Sequence, residues 1–119
     1  STLKALTQGT TYVNGQYTYT YNGSTGWSVA LTDKESTDPV TTELCETVNT
    51  KPIVSMKNMF SSSNATSLDL SSFDTSNVTN MSDMFSYSKA TTGYARTEKD
   101  ATKFNSSSSK PSGLTFVVK

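Results

Sequence analysis

Oxygen-bearing and aromatic side chains are the groups in this sequence with the means to do chemistry. There is no histidine, and Cys45 is the single cysteine. That removes the commonest general base and zinc ligand, and with them Ser-His-Asp and Cys-His arrangements. Neither a G-x-S-x-G elbow nor a P-loop occurs. Asp33 and Glu35 pair two carboxylates, but in a loop with no evident pocket. Asp69, Asp74 and Asn77 offer oxygen ligands, yet their spacing matches no EF-hand-like loop, and Asp74-Thr75-Ser76-Asn77 suits a turn or a helix cap. The reading is therefore of a chain that is not an enzyme, with no catalytic residue, no cofactor and no metal.

What remains is contact chemistry. Tyr87 and Tyr94 are the candidate contact surface, because tyrosine supplies rigid amphipathic area at low entropic cost. Met56, Met59, Phe60, Met81, Met84 and Phe85 would suit an adaptable interface, but their regular spacing favours a core. Tyr17, Tyr19, Tyr21 and Trp27 would suit a sugar platform, but a half-buried sheet needs a covered face.

Composition narrows the partners. The 119 residues carry ten Lys+Arg and ten Asp+Glu, a formal charge of zero, which argues against nucleic acid and anionic membrane. No apolar run approaches the ~20 residues of a membrane span, so no membrane insertion is expected. One cysteine makes no internal disulfide, and Cys45 reads as a small buried hydrophobe. Charged residues are only 17%, and Ser, Thr and Asn supply much of the polar surface. That composition suits secreted, cell-surface or virion proteins.

Those residues must be positioned by four segments of one domain. Residues 1–35 read as an antiparallel β-meander, with 1–9 as an arm or edge strand. Asn14-Gly15 signals a two-residue type I′ hairpin loop, which would pair Val13 with Gln16 and Tyr12 with Tyr17. Closing Asn22–Gly26 as a loop pairs Tyr21 with Trp27, Tyr19 with Val29 and Tyr17 with Leu31, all on one face. Residues 36–52 read as a helix: Asp38-Pro39 makes an N-cap and first position, and Val40, Leu44 and Val48 form a stripe.

Residues 53–95 repeat with a 25-residue period. Met56/Met81, Met59/Met84, Phe60/Phe85, Ser61/Ser86, Ser63/Ser88, Ala65/Ala90 and Thr66/Thr91 all keep it. The period, one L-x-L step (Leu68-Asp69-Leu70) and a short Met/Phe helix fit a leucine-rich-repeat-like solenoid. The pattern decays at Gly93-Tyr94-Ala95, as a capping repeat would. Residues 96–119 read as the C-terminal cap: Thr97 N-caps a helix through Phe104, a Ser-rich loop follows, and Leu114–Val118 forms the last strand. The fold class expected is α+β: an N-terminal antiparallel β-meander, one helix, and a short leucine-rich-repeat-like solenoid with a helix–strand C-terminal cap.

SLDLSSFDTSNVTNMSDMF resembles the repeat of the BspA-like leucine-rich-repeat surface proteins. TTGYARTEKDATKFNSSSSKPSGLTFVVK resembles the C-terminal end of many such chains. The resemblance covers roughly residues 53–119 and departs from larger members in having one full copy and one decayed copy. It implies a bacterial cell-surface or secreted adhesion protein, and similar chains occur in phages and prophages. No catalytic residue is carried over. The function expected is a non-enzymatic surface adhesion or recognition module, located extracellularly on a bacterial or virion surface. Its partners would be a protein or glycan on a cell surface, or other subunits of an assembly, including copies of itself in a homo-oligomer. Two alternatives stand beside it: a decoration protein of a phage virion, and a carbohydrate-binding module using exposed aromatics. The absence of a signal-peptide pattern at Ser1 and the apolar end without an anchor favour the virion version.

Overall fold

The computed structural model describes residues 7–119; the arm or edge strand expected over residues 1–9 lies mostly outside that range, and Thr7–Gly9 form part of a turn. Strands β1 (Thr11–Asn14), β2 (Tyr17–Tyr21) and β3 (Trp27–Leu31) make the meander, and β4 (Thr47–Val48) and β5 (Lys51–Ser55) extend it. They form one curled five-stranded sheet in the order β1-β2-β3-β5-β4. The β3–β5 pair is parallel and the others antiparallel. Strands β6 (Ser67–Leu70), β7 (Thr92–Ala95) and β8 (Thr115–Val118) make a second, all-parallel sheet, with helix α1 (Glu98–Asn105) between β7 and β8.

The β2–β3 register follows the alternation in the sequence: Tyr17 faces Leu31, Tyr19 faces Val29 and Tyr21 faces Trp27. All six are buried, so this face is core and not a sugar platform. The β1–β2 hairpin differs from expectation. Asn14 pairs with Tyr17 and Tyr12 with Tyr19, so the two-residue loop is Gly15-Gln16. Only Gly15 has a positive φ, +56°, which is the type II′ pattern. The loop is displaced because it is docked. Gln16 Oε1 accepts from the N–H groups of Thr41 (2.8 Å) and Thr42 (3.1 Å), and a Cβ on Gly15 would lie 2.5 Å from Thr42 Cγ2.

The expected α+β class is overturned. The chain is mostly β, with two sheets and a single eight-residue α-helix among the described residues, and it shows no leucine-rich-repeat solenoid. The helix expected over 36–52 does not form. Residues 40–48 hold two valines and three threonines, which are poor helix formers. Their backbone groups find remote partners instead. Val40 N–H donates to Ser67 O (2.9 Å) and Val40 O accepts from Asp69 N–H (2.8 Å). Leu44 N–H donates to Ser72 Oγ (3.0 Å), and Cys45 N–H to the Tyr19 hydroxyl (2.9 Å). Val40, Leu44 and Val48 are all buried, but along an extended path rather than a helical stripe, and Cys45 is half-buried at the edge of the core.

The two Met/Phe segments are not helices either. Each is a run of turns closed by bonds to the third residue back: Met59 to Met56, Ser61 to Asn58 and Ser63 to Phe60, then Met84 to Met81, Ser86 to Asp83 and Ser88 to Phe85. Residues with φ near +55° interrupt each run, at Asn58 and Ser62 and again at Asp83 and Tyr87. A left-handed residue every few positions stops an α-helix from propagating. The two runs lie against each other. Met56, Asn58, Phe60 and Ser62 donate their N–H groups to the carbonyls of Asn80, Ser82, Met84 and Ser86, at 2.7–3.1 Å. In the first run the amides thus alternate between bonds within the run and bonds to its neighbour, leaving Met56, Met59 and Phe60 free to point into the core, where all three are buried.

The end of the chain adopts the expected elements. Leu68 and Leu70 of β6 point inward, Thr97 caps α1 by accepting from Asp100 N–H (3.2 Å), and β8 is the last strand. Gly93 is strand, not decay: its row runs Leu68–Gly93–Phe116, and the missing side chain makes room for the Phe116 ring. Buried Asp100 ties α1 down by accepting from the hydroxyls of Thr75 (2.7 Å) and Thr97 (3.0 Å) and pairing with Arg96 (3.3 Å).

Candidate functional site

Tyr87 ends the second turn run at φ +58°, where the first copy has Ser62 at +57°. A bulky residue is uncommon in this left-handed region. Its side chain is 81% exposed, the most exposed large hydrophobic residue described, so it adds little to the core. It lines an open cleft of about 780 Å³ together with Ser62, Ser86, Ser88, Lys89, Ser109 and Pro111. The two turn runs supply one wall and the Ser-rich loop after α1 supplies the other. Lys89 is the single charged residue in this lining. The sequence singled out Tyr87 but not the rest. The signal available was the repeat itself, which puts an aromatic in the second copy where the first has serine.

Tyr94 is placed elsewhere. It sits half-buried on the outer face of β7, in a row with Asp69 of β6 and Val117 of β8. Lys119 Nζ lies 5.7 Å from its ring centroid and pairs with the Asp69 carboxylate. Burial pushes the Asp69 carboxyl up, but hydrogen bonds from Lys119 and Ser71 outweigh it and hold the group below the usual carboxylate range. The same hydrogen bond holds the Lys119 ammonium above its ordinary value. Tyr94 is thus partly covered by an ion pair, and it is not among the residues lining the Tyr87 cleft.

The remaining candidates have structural occupations. Asp33 Oδ1 accepts from the N–H groups of Glu35 (3.0 Å) and Ser36 (3.3 Å), closing its own turn. Asp74 Oδ1 accepts from Ser76 N–H (3.0 Å), the turn expected there. Among the described residues no three His, Cys, Asp or Glu side chains group as metal ligands, and no helix is long and apolar enough to cross a membrane.

A family model described as "Mycoplasma protein of unknown function, DUF285" matches residues 35–112, which hold both turn runs, β4–β7, α1 and every residue lining the cleft. No curated protein and no solved structure matches the chain. The matched family is related to the BspA-like surface proteins that the sequence resembles, which supports the resemblance at the level of that surface-protein group. With some two thirds of its length under that match, the chain belongs to the DUF285 family.

Proposed function

We propose that the chain is a non-enzymatic recognition module, displayed extracellularly, that binds a cell-surface partner through the cleft at Tyr87. The family's association with surface proteins supports display. The carrying observation is Tyr87 itself: a large aromatic held 81% exposed at a left-handed position that the equivalent copy fills with serine. Such a residue costs folding free energy and returns no packing, which is the pattern of a side chain kept for contact. The test is binding of the fluorescently labelled chain to intact animal or bacterial cells. Saturable binding that weakens about tenfold in Tyr87→Ala, the effect of one anchoring aromatic, supports the reading. Absence of saturable binding, or equal binding by the variant, overturns it.

An assembly role is the second reading, and β8 favours it. This strand ends the parallel sheet; the Asn105 side chain caps its edge at Phe116, accepting from the N–H (2.9 Å) and donating to the C=O (3.0 Å), while Val117 and Val118 remain 51% and 40% exposed. A second copy packed over the exposed end of this strand would cover apolar surface there. Sedimentation of the chain as a monomer at every concentration would remove this reading.

A further inference from the structure

The cleft at Tyr87 is lined by hydroxyl groups and one ammonium. In the first turn run, Ser62 N–H donates to Ser86 O at 2.7 Å. In the second run Asp83 N–H donates to Ser108 Oγ (3.1 Å) of the loop after α1, but Phe85 and Tyr87 N–H have no acceptor among the described residues. The loop docks on the second run through Ser107 and Ser108, and the cleft opens beyond them at Ser109 and Pro111. The hydroxyls of Ser62, Ser86 and Ser109 and the ammonium of Lys89 also make no hydrogen bond or ion pair among the described residues. No carboxylate and no side-chain amide lines the cleft.

We infer that this cleft binds the terminal sugar of a glycan whose ring carries a carboxylate. The inference rests on the cleft being the recognition surface proposed above and adds the ligand class. The Tyr87 ring offers its electron-rich face to the partly positive C–H face of a pyranose. Lys89 supplies the charge, and the Tyr87 N–H and serine hydroxyls supply further donors, for a carboxylate acceptor. A neutral sugar can use the serine hydroxyls, which both donate and accept, but it gives the Lys89 ammonium no charged partner. Polyanions such as nucleic acid call for several cations, and the lining holds one in a chain of zero net charge.

The test is an amide-resolved NMR titration of the whole chain with 3′-sialyllactose, with a glucuronate-terminated disaccharide, and with lactose as the neutral parent. Shifts at Ser62, Tyr87, Lys89 and Ser109 are expected with a carboxylated sugar. Lactose should bind about tenfold more weakly, the loss expected for one charge-assisted hydrogen bond. Lys89→Gln should remove that discrimination, and Tyr87→Ala should weaken both. Both side chains are exposed, so the variants keep the spectrum of the folded chain. Equal binding of lactose, shifts confined to other surfaces, or no shift with either carboxylated sugar overturns the inference. If the sugars fail while cell binding still depends on Tyr87, the ligand class is wrong, with the recognition reading intact. If cell binding does not depend on Tyr87, the recognition reading fails as well.

Discussion

Phe60 and Phe85, equivalent residues of the two turn runs, stack with ring planes 1° apart and centroids 5.9 Å apart. Phe85 also meets Phe104 and Phe116 edge-on or tilted, at 5.9 and 4.8 Å, and all four rings are buried. The stack joins the first run to the C-terminal helix and strand. Phe85→Ala is therefore expected to cost about 3–5 kcal/mol, the range for deleting a buried aromatic. Urea denaturation should show a lower midpoint at unchanged slope. A loss under about 1 kcal/mol would mean that the rings do not carry this junction.

Tyr17 and Tyr19 join the five-stranded sheet to the segment over 40–48. The Tyr17 hydroxyl donates to Thr42 O (2.8 Å), and the Tyr19 hydroxyl accepts from Cys45 N–H (2.9 Å). Tyr19→Phe should cost about 1–3 kcal/mol, because it leaves a part-buried N–H without its acceptor. Burial pushes both phenols well above their ordinary value. A raised folded pKa means that the folded chain holds these protons more tightly than the unfolded chain. Their contribution is complete below about pH 10 and is lost as pH rises beyond it. Phenolate absorbance of these two residues should rise together with loss of near-ultraviolet dichroism. Ionisation at an ordinary pH in the folded chain would contradict the burial.

Acid acts through Asp69 and Asp74. Burial works against Asp69, but the Lys119 and Ser71 bonds prevail, and Ser76 N–H lowers Asp74; both sit below the usual range. Depressed carboxyls stabilise the fold above the unfolded pKa, and that contribution fades as pH falls through the folded value. Stability should therefore decline below about pH 4, and Asp69→Asn should flatten part of the decline. An unchanged acid limb in that variant would show that the Lys119 pair contributes nothing.

Gly93 faces Phe116 so closely that an added Cβ would lie 2.4 Å from the ring. Gly93→Ala should cost about 1–3 kcal/mol by overpacking, visible as a lower Tm. A neutral result would require the Phe116 ring to move away from Phe85 and Phe104.

These sites also show which parts of the fold were legible in the sequence. The β2–β3 register was, because Tyr17–Tyr21 alternates and one loop closes it on Trp27–Leu31. The segment over 40–48 was not, because its spacing of four matches a helix while its amides are taken by Gln16, Tyr19 and Ser72, each more than twenty residues away. The Met/Phe segments misled for a related reason. Met56, Met59 and Phe60 have helical spacing, but left-handed backbone at Asn58 and Ser62 interrupts the run, and the N–H groups of both bond the neighbouring run. Tyr87 was legible as a contact residue because tyrosine supplies rigid amphipathic area at low entropic cost. Ser109 and Pro111 were not, because a low-complexity loop gives no sign of what it folds against.

Tyr87 is where stability and contact should oppose each other. A non-glycine residue in the left-handed region costs about 1–2 kcal/mol, and glycine relieves most of that while losing some unfolded-state entropy. Because the ring is exposed, Tyr87→Gly removes little packing and should raise stability by up to about 1 kcal/mol. The same change should weaken cell binding about tenfold, as Tyr87→Ala does. Asn58→Gly is the control: it shares the backbone conformation outside the cleft, and asparagine already tolerates it. That variant should gain less stability and keep binding. If Tyr87→Gly destabilises the chain, the ring is holding the Ser-rich loop in place and its exposure has a structural cause. If it stabilises the chain and binding survives, the strained tyrosine is not the contact residue. Gain of stability with loss of binding is the single pairing that fits a side chain held for recognition.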